Sequence, residues 1–218
     1  MFWLENLHHA ATVMSERALE LKYLFHEAED AAVASVLRLS NSILNSEPES
    51  YRASLEEWKG RLSDPASTII YLVVRPDSDR SLVASSEDRD DQSSRLERVP
   101  GQPSPVGFLF AYPRTHPEPL KDGSSRSLHI WLAGVLEEYR GRGCLGTMVN
   151  ALIDLENRRP AGGSGELSTQ MPMTICTSPS MFPLMWNWLR SRTRWVLEKE
   201  FDGGKVMFSL TGRGGVVQ

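Results

Sequence analysis

Residues 127–156 read SLHIWLAGVLEEYRGRGCLGTMVNALIDLE, and they decide how the chain is interpreted. The stretch divides into an apolar, β-prone run over 128–136, a charged glycine-rich turn over 137–146, and an amphipathic helix. The helix places Leu145, Met148, Val149 and Leu152 at the i, i+3, i+4, i+7 spacing of one face. Gly141, Gly143 and Gly146 permit positive φ and close backbone approach. The first turn of such a helix presents unpaired N–H groups and about half a unit of positive charge. A strand, a glycine turn and a helix in this order make a site for an anion, and phosphate is its natural occupant.

Two familiar phosphate loops fit poorly. A P-loop ends in Gly-Lys-Ser/Thr, whereas this helix opens Gly146-Thr147-Met148 without a lysine. Gly141-x-Gly143-x-x-Gly146 approaches the dinucleotide G-x-G-x-x-G, but a loop over 158–170 follows instead of a second strand ending in an acidic residue. Arg140-Gly141-Arg142-Gly143-Cys144-Leu145 resembles motif A of the GNAT acetyltransferase superfamily, Q/R-x-x-G-x-G/A, in five of its six elements. Leu145 is the departure, standing where the family usually has Gly or Ala and followed by the small Gly146. The resemblance implies that Arg140, Gly141, Arg142, Gly143, Cys144, Leu145, Gly146 and Thr147 hold the pyrophosphate of acetyl-CoA through backbone N–H groups. Arg140 and Arg142 would add charge-assisted contacts, or else be solvated surface arginines beside Glu137 and Glu138. It also implies that Gly134, Val135 and Leu136 hold the pantetheine arm where two strands part.

Composition bounds the rest. A chain of 218 residues, 40% hydrophobic and 24% charged, suits one domain with appendages. A net charge of −4 argues against nucleic acid as a partner, since binding phosphate backbones takes a concentrated basic face. Cys144 and Cys176 make no disulfide framework and read as thiols of a reducing compartment. No run is long and apolar enough to span a membrane, and MFWLENLHHAATVMSE lacks the basic leader of a secretory signal. A soluble cytoplasmic protein with no bound metal is expected, and a homodimer is allowed.

Along the chain, residues 1–18 are expected to form a helical extension, and 18–25 alternate as a strand. Helices follow, one with Val33, Val36, Leu37 and Leu44 on a face and one capped by Ser50 with Tyr51, Leu55, Trp58 and Leu62. Residues 67–74 are β-branched and aromatic, a buried strand. Residues 76–105 are too polar to bury anything and read as a disordered insertion in a hairpin. Strands are expected over 105–112, 127–136 and 171–177, a helix over 180–192, and two last strands over 194–201 and 205–210 about Asp202-Gly203-Gly204, a hairpin signal. Residues 212–218 are a loose tail.

This order is that of the GNAT fold, so the resemblance extends over about residues 19–211. It implies an α/β (α+β) domain with a mixed, mostly antiparallel sheet and helices on both faces. It further implies acetyl transfer from acetyl-CoA to an amine by direct attack, the amine belonging to a small molecule or amino-acid-like metabolite. A protein lysine or N-terminus is the alternative acceptor, and a degenerate CoA-binding member with little catalysis is the alternative to an enzyme. His129 lies eleven residues before Arg140, where the histone-acetyltransferase branch carries its catalytic Glu. Imidazole, with an ordinary pKa near 6.5, suits a general base; a histidine facing water is the bland alternative. The family often protonates the leaving thiolate with a Tyr on the helix after the fifth strand, but that segment here holds Trp186, Asn187 and Trp188. Ser178 and Ser180 at the strand exit are the remaining acid candidates. Trp58, Trp131, Trp186 and Trp188 either wall an acceptor pocket or belong to the core.

Overall fold

The described strands form one seven-stranded sheet in the order β1-β2-β3-β4-β5-β7-β6. The strands are β1 (Leu19–Leu24), β2 (Thr68–Val74), β3 (Pro105–Thr115), β4 (Arg126–Val135), β5 (Met173–Thr177), β6 (Trp195–Glu200) and β7 (Val206–Leu210). The computed structural model describes residues 19–44, 52–74, 104–159, 171–180, 182–190 and 194–210. All neighbours pair antiparallel except β4 and β5, which are parallel. The sheet is thus mixed and mostly antiparallel, as expected. The expected helical extension over 1–18, nearly all of the insertion over 76–105 and the tail over 212–218 lie outside the described residues.

Among the described residues, four α-helices cover the two faces: α1 (Asp30–Ile43), α2 (Leu55–Leu62), α3 (Cys144–Arg158) and α4 (Pro183–Arg190). On one face, Val33, Val36, Leu37 and Leu39 of α1 and Trp58 and Leu62 of α2 pack on Ile69, Phe108 and Phe110. On the other, Met148, Val149 and Leu152 of α3 and Leu189 of α4 pack on Ile70, Leu72, Leu109, Leu128, Ile130 and Ile175. Successive residues of β2 and β3 therefore serve opposite cores, as the period of two requires.

Several boundaries differ from the expectation for local reasons. Ser54, not Ser50, caps α2: its hydroxyl accepts the Glu57 N–H at 3.1 Å in an S-x-x-E arrangement. Helix α4 begins at Pro183 rather than at 180, because proline's fixed φ and missing N–H suit a first helical position. Strand β3 runs past Tyr112 to Thr115, Pro113 facing Leu128. The turn between β6 and β7 takes positive φ at Gly203 and Gly204, 79° and 75°, which is why two glycines stand there.

Candidate active site

Strands β4 and β5 share three rungs, Leu128↔Met173, His129↔Thr174 and Ile130↔Ile175, and then part. Strand β4 continues to Val135 with its other edge still paired to β3 as far as Gly107↔Val135, and β5 continues to Thr177 paired to β7. The divergence starts at a bulge: β3 pairs Phe110 with Leu132 but Ala111 with Ile130, so Trp131 is the extra residue and bends the strand. Residues 131–135 thus border a cleft with one backbone edge lacking a ladder partner among the described strands.

The glycine loop stands at the open end of this cleft. Gly143 caps α3 with φ 78°, contributing no side-chain hydrogen bond, and Gly141 has φ 75°. An added Cβ at either would meet nothing within 4 Å, so conformation rather than space selects glycine there. The Thr147 N–H reaches the Gly143 carbonyl at 2.9 Å, which leaves the N–H groups of Cys144, Leu145 and Gly146 ahead of the helical ladder. Arg140 Nε donates to the Val135 carbonyl at 3.1 Å, and the Arg142 guanidinium lies 5.5 Å from the centre of the buried Tyr139 ring. The Cys144 thiol donates to the Tyr139 carbonyl at 3.4 Å. Leu145 is half-buried against the core under α3. The donor set, positive helix end and two arginines fit a pyrophosphate. Gly134 has a packing reason of its own: a Cβ there would lie 3.1 Å from Ile43 Cδ1, Ile43 Cγ2 and Phe108 Cε1.

His129 lies on the rung before the last that β4 and β5 share, next to where the strands part. It faces Tyr112 on one side and Thr174 on the other, and Thr174 faces Ser209. His129 is 4% exposed, and its ring meets Tyr112 edge-on at 5.9 Å. Its Nδ1 lies 3.0 Å from Thr174 Oγ1, which lies 2.7 Å from Ser127 Oγ, which lies 2.7 Å from His116 Nε2. Burial pushes the His129 pKa down to about 3, with Arg114, His116, Lys205 and Arg61 adding to the effect. The expectation of an imidazole at its ordinary pKa therefore fails: as a free-standing base this ring is weak. Burial and Arg114 also lower His116, with Glu198 opposing them.

Ser178 and Ser180 meet each other, Oγ to Oγ at 3.1 Å, just past the end of β5. The Ser178 carbonyl accepts the Phe182 N–H at 2.7 Å and so also shapes the turn into α4. No hydrogen bond among the described residues joins either serine to His129. Of the tryptophans, Trp58 is fully buried between Phe108 and Phe110 and walls no pocket. Trp186 packs on Phe208 and Trp188 on Trp195. Trp131 is half-buried, and the Arg61 guanidinium lies 4.0 Å from its ring and 4.7 Å from that of Tyr112. Sequence reasoning missed Ser127, Thr174 and His116, and also Thr177, whose buried hydroxyl at the end of β5 has no partner among the described residues. A signal existed for two of them: Thr174 and Ser127 are polar residues alternating with apolar ones inside buried strands. His116 follows β3 in a loop and carried none.

No helix among the described residues is long and apolar enough to cross a membrane, and no group of three or more His, Cys, Asp or Glu among them is arranged to hold a metal ion. No known protein-family profile matches the sequence, and no curated protein matches it. Solved structures do match. The aminoglycoside N-acetyltransferase AAC(6')-Iy, in complex with CoA, superposes with a TM-score of 0.51 at 14% identity, over 87% of this chain and 99% of that one. Arabidopsis thaliana NAA60, in complex with acetyl-CoA, superposes with a TM-score of 0.50 at 14% identity, over 88% of this chain and 97% of that one. Strand order, the parting of β4 from β5, the glycine loop before α3 and these superpositions agree: the chain has the fold of the GNAT acetyltransferases.

Proposed function

We propose that the chain is an acetyl-CoA-dependent N-acetyltransferase acting on the amine of a small molecule or amino-acid-like metabolite. One observation carries the reading: β4 and β5 part just past a buried histidine, and β4 leads on through a glycine turn to a bare, glycine-capped helix N-terminus. A fold alone hosts many chemistries, whereas this pairing of an anion site with a titratable group has the two parts that acetyl transfer from a CoA thioester needs. In this reading the N–H groups of Cys144, Leu145 and Gly146, with Arg140 and Arg142, bind the pyrophosphate. The β4 edge at Gly134 and Val135, with Leu136 just past the end of the strand, aligns the pantetheine amides. Thr177 supplies a buried hydroxyl from the opposite wall.

The amine nitrogen bonds the thioester carbonyl carbon, the C–S bond breaks, and one proton passes from nitrogen to the departing sulfur. His129 is the residue assigned to take that proton, and Ser178 and Ser180 border the side from which the thiolate leaves. The two solved structures named above carry CoA and acetyl-CoA in their complexes, which supports the choice of donor. The test is a calorimetric titration with acetyl-CoA, followed by thiol release across small amines, peptide N-termini and lysine peptides. Stoichiometric binding with turnover on small amines is the expected result. Turnover on peptides alone would move the acceptor to proteins, binding without turnover would leave a CoA-binding protein, and no binding would overturn the proposal.

A further inference from the structure

Four buried side chains form one unbroken hydrogen-bonded line beneath the cleft: His129, Thr174, Ser127 and His116. None is more than 7% exposed, so bulk water does not compete for the bonds. The hydrogens in the line can be counted. It has three bonds, and the two hydroxyls supply only two hydrogens, so the third comes from an imidazole. Neither hydroxyl has another acceptor among the described residues, and with both hydroxyl hydrogens kept in the line and both rings neutral there are two solutions. In one, His129 donates from Nδ1 and His116 accepts at Nε2, so both rings carry their proton on Nδ1. In the other every bond is reversed, and both rings carry it on Nε2. The two histidines are locked into the same tautomer, and switching one switches the other.

We infer that this line is a proton relay with His116 as its terminal store, serving the acetyl transfer proposed above and resting on that reading. As the amine nitrogen bonds the carbonyl carbon, its proton moves to His129 Nε2. The Nδ1 proton of His129 passes to Thr174, the Thr174 hydroxyl proton to Ser127, and the Ser127 hydroxyl proton to His116 Nε2. His129 is neutral before and after, as its surroundings demand: Arg114 on β3, His116 at the end of the line, Lys205 before β7 and Arg61 on α2 all oppose a cation there. The charge arrives instead at His116, where Arg114 opposes it and Glu198 on β6 favours it. Glu198 is itself held by the Ser209 hydroxyl and, at 2.9 Å, by the Lys121 backbone N–H. When the C–S bond breaks, the line runs backwards and His129 Nε2 delivers the proton to the thiolate. One N–C bond forms, one C–S bond breaks and one proton passes from nitrogen to sulfur. The line thereby supplies the acid that α4, with no tyrosine, does not.

Two experiments on the full chain test the relay. Nitrogen-15 NMR of the imidazoles reads tautomers without any ligand: at neutral pH His129 and His116 are expected to show matching tautomer populations, and Thr174→Val, which keeps the volume, should unlink them. Kinetically, Ser127→Ala should lower turnover about tenfold or more, given the 10²–10⁴ that positioned proton transfer contributes, with acetyl-CoA affinity unchanged. It should also abolish the acidic limb of the rate profile that His116 protonation causes in the parent protein. Mismatched tautomers, or a Ser127→Ala enzyme with the parent pH profile, would overturn the relay. A parent chain that fails to bind acetyl-CoA would sink the acetyltransferase reading instead, and matched tautomers would still establish the wired pair.

Discussion

Arg140 Nε donates a hydrogen bond to the carbonyl oxygen of Val135 at 3.1 Å, so the first residue of the glycine loop grips the last residue of β4. The loop proposed to bind pyrophosphate and the strand edge proposed to bind the pantetheine arm are therefore one unit. Loss of that bond at an exposed site costs roughly 1 kcal/mol, and loss of the guanidinium charge beside an anion adds a similar amount. Arg140→Ala should weaken acetyl-CoA binding about tenfold or more by calorimetry. Arg140→Lys should recover only part, because a lysine keeps the charge but has no Nε fork to hold Val135. Equal affinity in Arg140→Ala and the parent would show that the residue is merely solvated.

Gly134 is fixed by packing before any ligand is considered. A methyl group there lands 3.1 Å from two carbons of Ile43 and one of Phe108, both in the core between α1 and the sheet. Gly134→Ala should destabilise the fold by about 1–3 kcal/mol, the usual range for overpacking. Adding Ile43→Ala removes two of the three clashing atoms, so the double variant should lose less than the sum of the singles in urea denaturation. Additive losses would mean that α1 does not rest on Gly134.

The sequence was most readable where one local rule decided the outcome. The apolar period of α3, the β-branched and aromatic run of β2 and the Asp202-Gly203-Gly204 turn each specify their element without help from distant residues. The glycine turn ahead of α3 was readable for the same reason, since its glycines and its helix are contiguous. The chemistry beneath the cleft was not. Thr174 matters because β5 lies parallel to β4 in one register that sets it against His129, and no spacing in a single strand encodes that register. The low pKa of His129 likewise follows from burial and from Arg114, His116, Lys205 and Arg61, groups spread over four segments. Ser54 displaced Ser50 as a cap because capping depends on which serine meets the Glu57 N–H.

The two thiols separate an attack by the amine from an acyl-cysteine route. Cys176 lies two residues beyond Thr174 on β5, next to the cleft, and burial raises its pKa despite the nearby Lys205 and Arg114. Cys144 is raised by burial too. At neutral pH both are thiols, the weak form of the nucleophile. Cys176→Ser should keep turnover within a few-fold of the parent, and mass spectrometry of the parent with acetyl-CoA should find no acetyl adduct at Cys144 or Cys176. A stable acetyl adduct that a second substrate discharges would require a covalent path.

Holding His129 neutral has a cost in acid that can be signed. Its folded pKa of about 3 lies below the unfolded value near 6.5. Above pH 6.5 neither state binds the proton, and the full stability is present. Between 6.5 and about 3 the unfolded chain binds a proton that the folded chain refuses, so stability falls with falling pH at up to about 1.4 kcal/mol per pH unit from this group. Below about pH 3 this group causes no further loss. His116, lowered in the same direction, steepens the upper part of the window. His129→Gln keeps a polar partner for Thr174 but has no proton to bind, so its urea midpoint should depend less on pH between 6.5 and 4 than that of the parent. The variant should gain stability relative to the parent as the pH drops. Parallel curves would mean that folding does not lower the His129 pKa, and that the ring takes up its proton in the folded protein as readily as in the unfolded chain.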